Sequence, residues 1–132
     1  MYLAQGIRDR EGRSFPMTGL LPAWTIMLER LKSLGYVEVT LAEDSLFGNR
    51  GERLRGHEFH YSELSGDPTE GNDWKPVYKL KHMRSDTQTP EGFQSGRVLA
   101  SYVHAHVASH PRAVRHFVSL CRGSIPAGET RP

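Results

Sequence analysis

Residues 55–64, RGHEFHYSEL, alternate with a period of two, and this pattern constrains the chain more than any other. It puts His57, Phe59 and Tyr61 on one face of an extended segment and Glu58, His60 and Ser62 on the other. Tyr36, Val37, Val39 and Leu41 read as a further strand, PVYKLKH as another, and RVLASYVHAHV as β-rich. Between them RDREGRSFP, LFGNRGERLRG, SGDPTEGND and RSDTQTPEGFQSG read as turns and loops. Trp24, Met27, Leu28, Leu31 and Leu34 sit at helical spacing, so a helix opened by Pro22 and closed by Gly35 is expected. Thr25, Met27, Glu29 and Leu31 also tolerate an extended reading. HPRAVRHFVSLCR predicts an amphipathic closing helix with Pro111 near its start, His110 just before it, and Val114, Phe117, Val118 and Cys121 inward. Strands outnumber helices, yet the chain starts in apolar sequence and closes on a helix. The expectation is part of an α/β layer structure, one domain over 1–123 with a frayed tail over 124–132.

Composition removes several classes of function. Seventeen Lys and Arg are scattered among fifteen acidic residues, the net charge is +2, and no basic stripe suits a nucleic acid. No apolar run approaches twenty residues, and the N-terminus lacks the apolar centre of a signal peptide. A lone cysteine leaves no internal disulfide and suits a reducing cytoplasm. The phosphate-cradling pattern G-x-x-x-x-G-K-[ST] is absent.

Chemistry concentrates in SYVHAHVASHP, residues 101–111. On a strand, Tyr102, His104 and His106 would share one face, with Val103, Ala105 and Val107 on the other. Two such histidines are open to three readings: ligands of a metal, a catalytic base with a neighbour, or polar residues at a strand end. Glu58 and His60 of GHEFHYS could complete a metal site or support a catalytic group. Neither H-E-x-x-H nor a paired-cysteine motif accompanies them. His110 is expected at the start of the last helix. Cys121 with a histidine would meet the minimum for thiol catalysis, but its place on the apolar side of a helix predicts a buried structural residue.

Three stretches in order, MYL at the start, LRGHEFHYSEL in the middle and GRVLASYVHAHVASHP near the end, resemble one family. It is the C-terminal glutamine amidotransferase lobe of the cobyrinate a,c-diamide synthases. GLLP, LGYVEVTL and PEGF fit the same pattern, which siroheme- and nickel-sirohydrochlorin-amidating enzymes share. The resemblance implies a flavodoxin-like α/β fold of the class I amidotransferases and release of ammonia from glutamine. It also implies a separate P-loop lobe that activates tetrapyrrole carboxylates of cobyrinate or hydrogenobyrinate with ATP and magnesium, so no cofactor or metal is expected on this chain. His104 matches the general base toward a nucleophilic cysteine. Where triad relatives place an orienting glutamate two residues later, this chain has His106, and Glu58 or His60 are candidates for that role. The family's nucleophile lies in a C-G-G-x-M-Y-L turn, of which this chain carries M-Y-L, and Cys121 does not match it. MYLAQGI is then expected to be the first turns of the helix after that turn.

The expectations that follow are a cytoplasmic amidotransferase part inactive alone, a P-loop synthetase partner, and self-association through unpaired edges. Two other readings compete with it. One is a non-catalytic module docking on a synthetase or a tetrapyrrole. The other is a small metal-binding domain built on His104, His106, His60 and Glu58.

Overall fold

The computed structural model describes residues 2–83, 85 and 87–123. Ten strands and one α helix follow in chain order. They are β1 (Ala4–Arg8), β2 (Ser14–Pro16), β3 (Leu21–Met27), β4 (Ser33–Leu41), β5 (Arg53–His60), β6 (Ser62–Ser65), β7 (Lys75–His82), β8 (Gln88–Ser95), β9 (Val98–Ala100) and β10 (His104–Ala105). A 3-10 turn (Val107–Ser109) then leads into α1 (Pro111–Arg122). The architecture is α/β, rich in strands and closed by the C-terminal helix that the sequence predicts. The tail expected over 124–132 lies outside the described residues.

Two sheets form, one of order β2-β1-β3-β6 and one of order β10-β5-β4-β7-β8-β9. Only the β1–β3 pairing is parallel among the pairs described. The larger sheet cannot be flat. Its edge strands β9 and β10 are joined by Ser101–Val103, and four residue steps span at most about 14 Å. Six flat strands would separate those edges by about 24 Å. The sheet therefore curls until its edges approach, and its concave face holds a core of Val37, Val39, Leu41, Leu54, Val77, Tyr78, Leu80 and Val103. A second cluster, Leu21, Ala23, Trp74 and Ala100 with Leu64 and Phe93 against it, packs β3 and β6 onto β8 and β9.

Four sequence expectations are corrected here. No helix runs from Pro22 to Gly35. The segment splits into β3 and β4, because Leu21, Ala23 and Thr25 all point into the core at period two, while Leu34 is 67% exposed. The extended alternative holds for Thr25 and Met27 in β3, while Glu29 and Leu31 lie in the bend between the two strands. MYLAQGI is not a helix start: Ala4–Arg8 is a strand between β2 and β3, with Gly6 pressed beneath the Trp24 ring and the Phe15 carbonyl, where a Cβ would not fit. RDREGRSFP is a hairpin whose return arm is β2, its turn closed by the Asp9 carboxylate accepting from the Glu11 and Arg13 amides. RSDTQTPEGFQSG contributes β8. Pro90 lies where β8 has β7 as its only strand neighbour, a position that tolerates the missing N–H.

The closing helix forms as expected, with Pro111 at its first turn and His110 as its N-cap residue. Its apolar side is lightly covered. Ala113 is buried, Val114, Phe117 and Val118 stay more than a third exposed, and Phe117 stacks on Phe47 with ring centroids 5.8 Å apart. Cys121 is exposed, which overturns the expectation of a buried structural thiol.

Candidate active site

The GHEFHYS strand carries two different surfaces, as its period predicts. Along β5 Leu54, Gly56 and Glu58 are buried and Arg55, His57 and Phe59 are exposed. The inner surface ends in a polar cluster. Glu58, 4% exposed, accepts a 2.7 Å hydrogen bond from the Ser33 hydroxyl, and His82 Nε2 lies 3.3 Å from the same carboxylate oxygen. His60 Nε2 is 3.8 Å from the other oxygen, and His60 Nδ1 donates to the Ser62 carbonyl at 2.7 Å. The Tyr102 ring stacks on His60 at 4.1 Å, with its hydroxyl 3.2 Å from Ser62 Oγ. Burial pushes the Tyr102 hydroxyl above its ordinary pKa.

This cluster explains why RVLASYVHAHV is not one strand. Glu91 on β8 is buried, and its carboxylate accepts from Ser101 Oγ at 2.6 Å and from the Tyr102 amide at 2.8 Å. Ser101 Oγ in turn accepts from the Val103 amide at 2.9 Å. These bonds hold residues 101–103 in a bend between β9 and β10, where ladder bonds would otherwise continue. Burial raises the Glu91 carboxyl above its usual range, its two donors pull it back in part, and the charge of Glu58 raises it further.

The bend sends Tyr102 and His104 to opposite surfaces, where unbroken alternation would have kept them together. Tyr102 turns inward onto His60. His104 turns outward and pairs in register with His57 across the antiparallel β5–β10 ladder. His104 Nδ1 lies 3.2 Å from His57 Nε2, the rings meeting edge to face with centroids 4.7 Å apart. Gly56 permits this approach, because a Cβ there would come within 2.6 Å of the His104 carbonyl oxygen and 2.7 Å of Val103 Cγ1. Beside the pair a cleft of about 690 Å3 opens, lined by Tyr36, Arg55, His57, Met83 and His106. His106 is fixed through its backbone, its amide donating to the Arg55 carbonyl at 2.8 Å.

Of the residues singled out in the sequence, His104 and His106 share this outer surface, while Glu58 and His60 sit behind the sheet. Glu58 therefore accepts from Ser33 and faces His82 and His60, away from the base it was expected to support. The same separation removes the metal centre of His104, His106, His60 and Glu58, and among the described residues no group of three or more His, Cys, Asp or Glu is placed to hold a metal. No helix among the described residues is long and apolar enough to cross a membrane. Sequence reasoning missed His57. Its signal was the alternation itself, which set His57 opposite Glu58; what was lacking was the register that brings β10 alongside.

By the domain model it matches, this strand-rich lobe with its C-terminal helix has the fold of the class I glutamine amidotransferases. The particular family is shown by comparison: residues 1–112 match the CobB/CobQ-like glutamine amidotransferase domain, and the chain belongs to that family. Over 121 residues, 92% of this chain, it is 48% identical to a cobyrinate a,c-diamide synthase of Leptospira interrogans. Over 123 residues it is 48% identical to that of Syntrophotalea carbinolica, and over 111 residues 34% identical to that of Methanocaldococcus jannaschii. The chain spans about a quarter of the length of these relatives, 26%, 27% and 23% respectively.

Proposed function

We propose that this chain is the base-carrying part of a glutamine amidotransferase unit that supplies ammonia for cobyrinate-type a,c-diamide synthesis, with His104 as general base. The observation that carries the reading is the seat of His104. Its Nδ1 is engaged by the ring of His57, its Nε2 makes no hydrogen bond among the described residues, and His57 and His106 line an open cleft. A ring held this way can take the proton of a thiol at Nε2. The resulting thiolate attacks the glutamine carboxamide, and the imidazolium returns the proton to the departing ammonia. Arg55 in the cleft wall offers a guanidinium suited to the carboxylate of the amino acid.

The thiol is not Cys121, which is exposed on α1 and lacks the turn that activates a nucleophile. It belongs to the C-G-G-x-M-Y-L turn of which this chain carries the last three residues. A P-loop lobe using ATP and magnesium completes the reaction on a corrinoid or related tetrapyrrole carboxylate.

Two measurements test the proposal. The purified 132-residue chain is expected to release no ammonia from glutamine; release that disappears in His104→Ala would assign the thiol wrongly. A chimera in which residues 1–112 replace the matching segment of the Leptospira interrogans relative is expected to amidate with glutamine. His104→Ala in that chimera should lower the glutamine-driven rate by about 10²–10⁴-fold, the usual contribution of a positioned base, relative to the rate with free ammonia. An unchanged ratio of the two rates would remove His104 from the mechanism.

A further inference from the structure

We propose that His57 is the positioning residue for His104, accepting its Nδ1–H so that Nε2 is left unprotonated and directed to the reaction. This rests on the reading of His104 as the base, and it assigns the orienting role that Glu58, His60 and His106 were expected to fill.

The geometry excludes those three on separate grounds. Glu58 and His60 project from the opposite surface of β5, where their partners are Ser33, His82, Ser62 and Tyr102. His106 shares the outer surface, but no hydrogen bond joins its ring to His104 among the described residues. His57 is the register partner of His104, so the ladder itself fixes the distance between the two Cα atoms. The contact joins two ring nitrogens, 3.2 Å apart. Such a bond needs a proton on one nitrogen and a lone pair on the other. A base whose Nε2 must accept a proton keeps its own proton on Nδ1, so His104 is the donor and His57 Nε2 the acceptor. His57 then carries its proton on Nδ1.

A free imidazole favours the other tautomer, with the proton on Nε2, in which His104 cannot act as a base from that nitrogen. His57 thus does for His104 what a carboxylate does in a triad, holding tautomer and ring plane without taking the proton. A neutral acceptor does this more weakly than a carboxylate. It also places no buried charge on an exposed strand pair. Gly56 belongs to the same arrangement, since any side chain there would push β10 away and open the contact.

Imidazole nitrogen NMR on the 132-residue chain, above the titration range of its histidines, reads the tautomer directly. Wild type is expected to show His104 mainly protonated on Nδ1. His57→Ala should return it to the Nε2–H form, and His57→Gln, whose amide oxygen can accept, should restore part of the Nδ1–H population. A wild-type ring protonated on Nε2 overturns the proposal whatever His104 does in catalysis. In the chimera, His57→Ala should lower the glutamine-driven kcat roughly 10- to 100-fold, a part of what a positioned base supplies, with little change in the KM for glutamine and with partial rescue by His57→Gln. If His104→Ala abolishes glutamine use while His57→Ala does not, the base stands and the positioning role falls. If neither substitution matters, both fall together.

Discussion

Glu91 shows at the scale of one residue how a buried carboxylate shapes this site without touching it. Its two oxygens accept from the exposed Ser101 hydroxyl and the half-buried Tyr102 amide, so the chain can leave the sheet for three residues and rejoin it on β5. Removing the acceptors by Glu91→Ala leaves the Ser101 hydroxyl to water and the half-buried Tyr102 amide without its partner, and the cost should be about 1 kcal/mol, measured by denaturant unfolding. The same carboxylate gives a pH dependence of definite sign. Its folded pKa lies above the ordinary value, chiefly through burial, so the native state holds the proton more tightly than the unfolded chain. Its contribution is then greatest below the ordinary carboxylate pKa and declines as pH rises through the raised one. Glu91→Gln should flatten the fall in Tm as pH rises above the ordinary carboxylate range. A Gln variant with the wild-type slope would show that Glu91 is already ionised throughout.

At the scale of the element, α1 is tied at its N-cap residue as well as along its lightly covered apolar side. His110 Nε2 meets Glu52 Oε2 at 2.6 Å, tying the helix start to the approach to β5, while farther along the Phe117–Phe47 stack is the aromatic contact. The His110 hydrogen bond, with help from the nearby charges of His110 and Arg112, holds Glu52 below its usual pKa against the opposing effect of burial. That contribution is present above the ordinary carboxylate pKa and disappears as pH falls through the depressed one. His110→Ala should cost about 1 kcal/mol and lower hydrogen-exchange protection over 113–120 while leaving the amides of β4 and β7 as they were. Equal loss in helix and sheet would mean that α1 and the sheet unfold as one unit. These elements also show what was readable in advance. The period of RGHEFHYSEL gave both surfaces of β5, where local preference and burial agree, and Pro111 with the apolar spacing after it gave the place of α1, although Val114, Phe117, Val118 and Cys121, expected inward, stay exposed. The helix expected from Pro22 failed because Trp24, Met27, Leu28, Leu31 and Leu34 match a helical spacing by accident, whereas Leu21, Ala23 and Thr25 are placed by a sheet distant in sequence. His104 was singled out by its motif as the proposed base. Its partner was not, since a β5–β10 register is set by the closure of a whole sheet.

Seen as a whole, the molecule has one surface unlike the rest, the convex face of the curled sheet around the histidine pair. Leu34 pairs with Phe59 and Tyr36 with His57 across β4 and β5, so their side chains form a continuous strip, with Met83 beside Tyr36 in the cleft wall. Tyr36 is 78% exposed, and Leu34 and Met83 each 67%. Isolated apolar residues on a surface are ordinary, but a contiguous strip on a sheet face marks a surface suited to being covered. In the isolated chain the partner at hand is a second copy, whose own strip is self-complementary under a two-fold axis. Sedimentation velocity should therefore show association that grows with concentration. Tyr36→Lys with Phe59→Lys should return the chain to a monomer at the same concentration, because each lysine would have to be desolvated against its copy. Both positions are exposed strand sites whose side chains pack on no core, so near-UV spectra and Tm at low concentration should stay close to wild type. A double variant that still associates would move the interface to another surface, with the open edges of β2 and β6 the next to test. If association occludes the cleft, His57 and His104 should lose accessibility to histidine-modifying reagents as concentration rises. That would link the oligomeric state of the chain to the availability of its base.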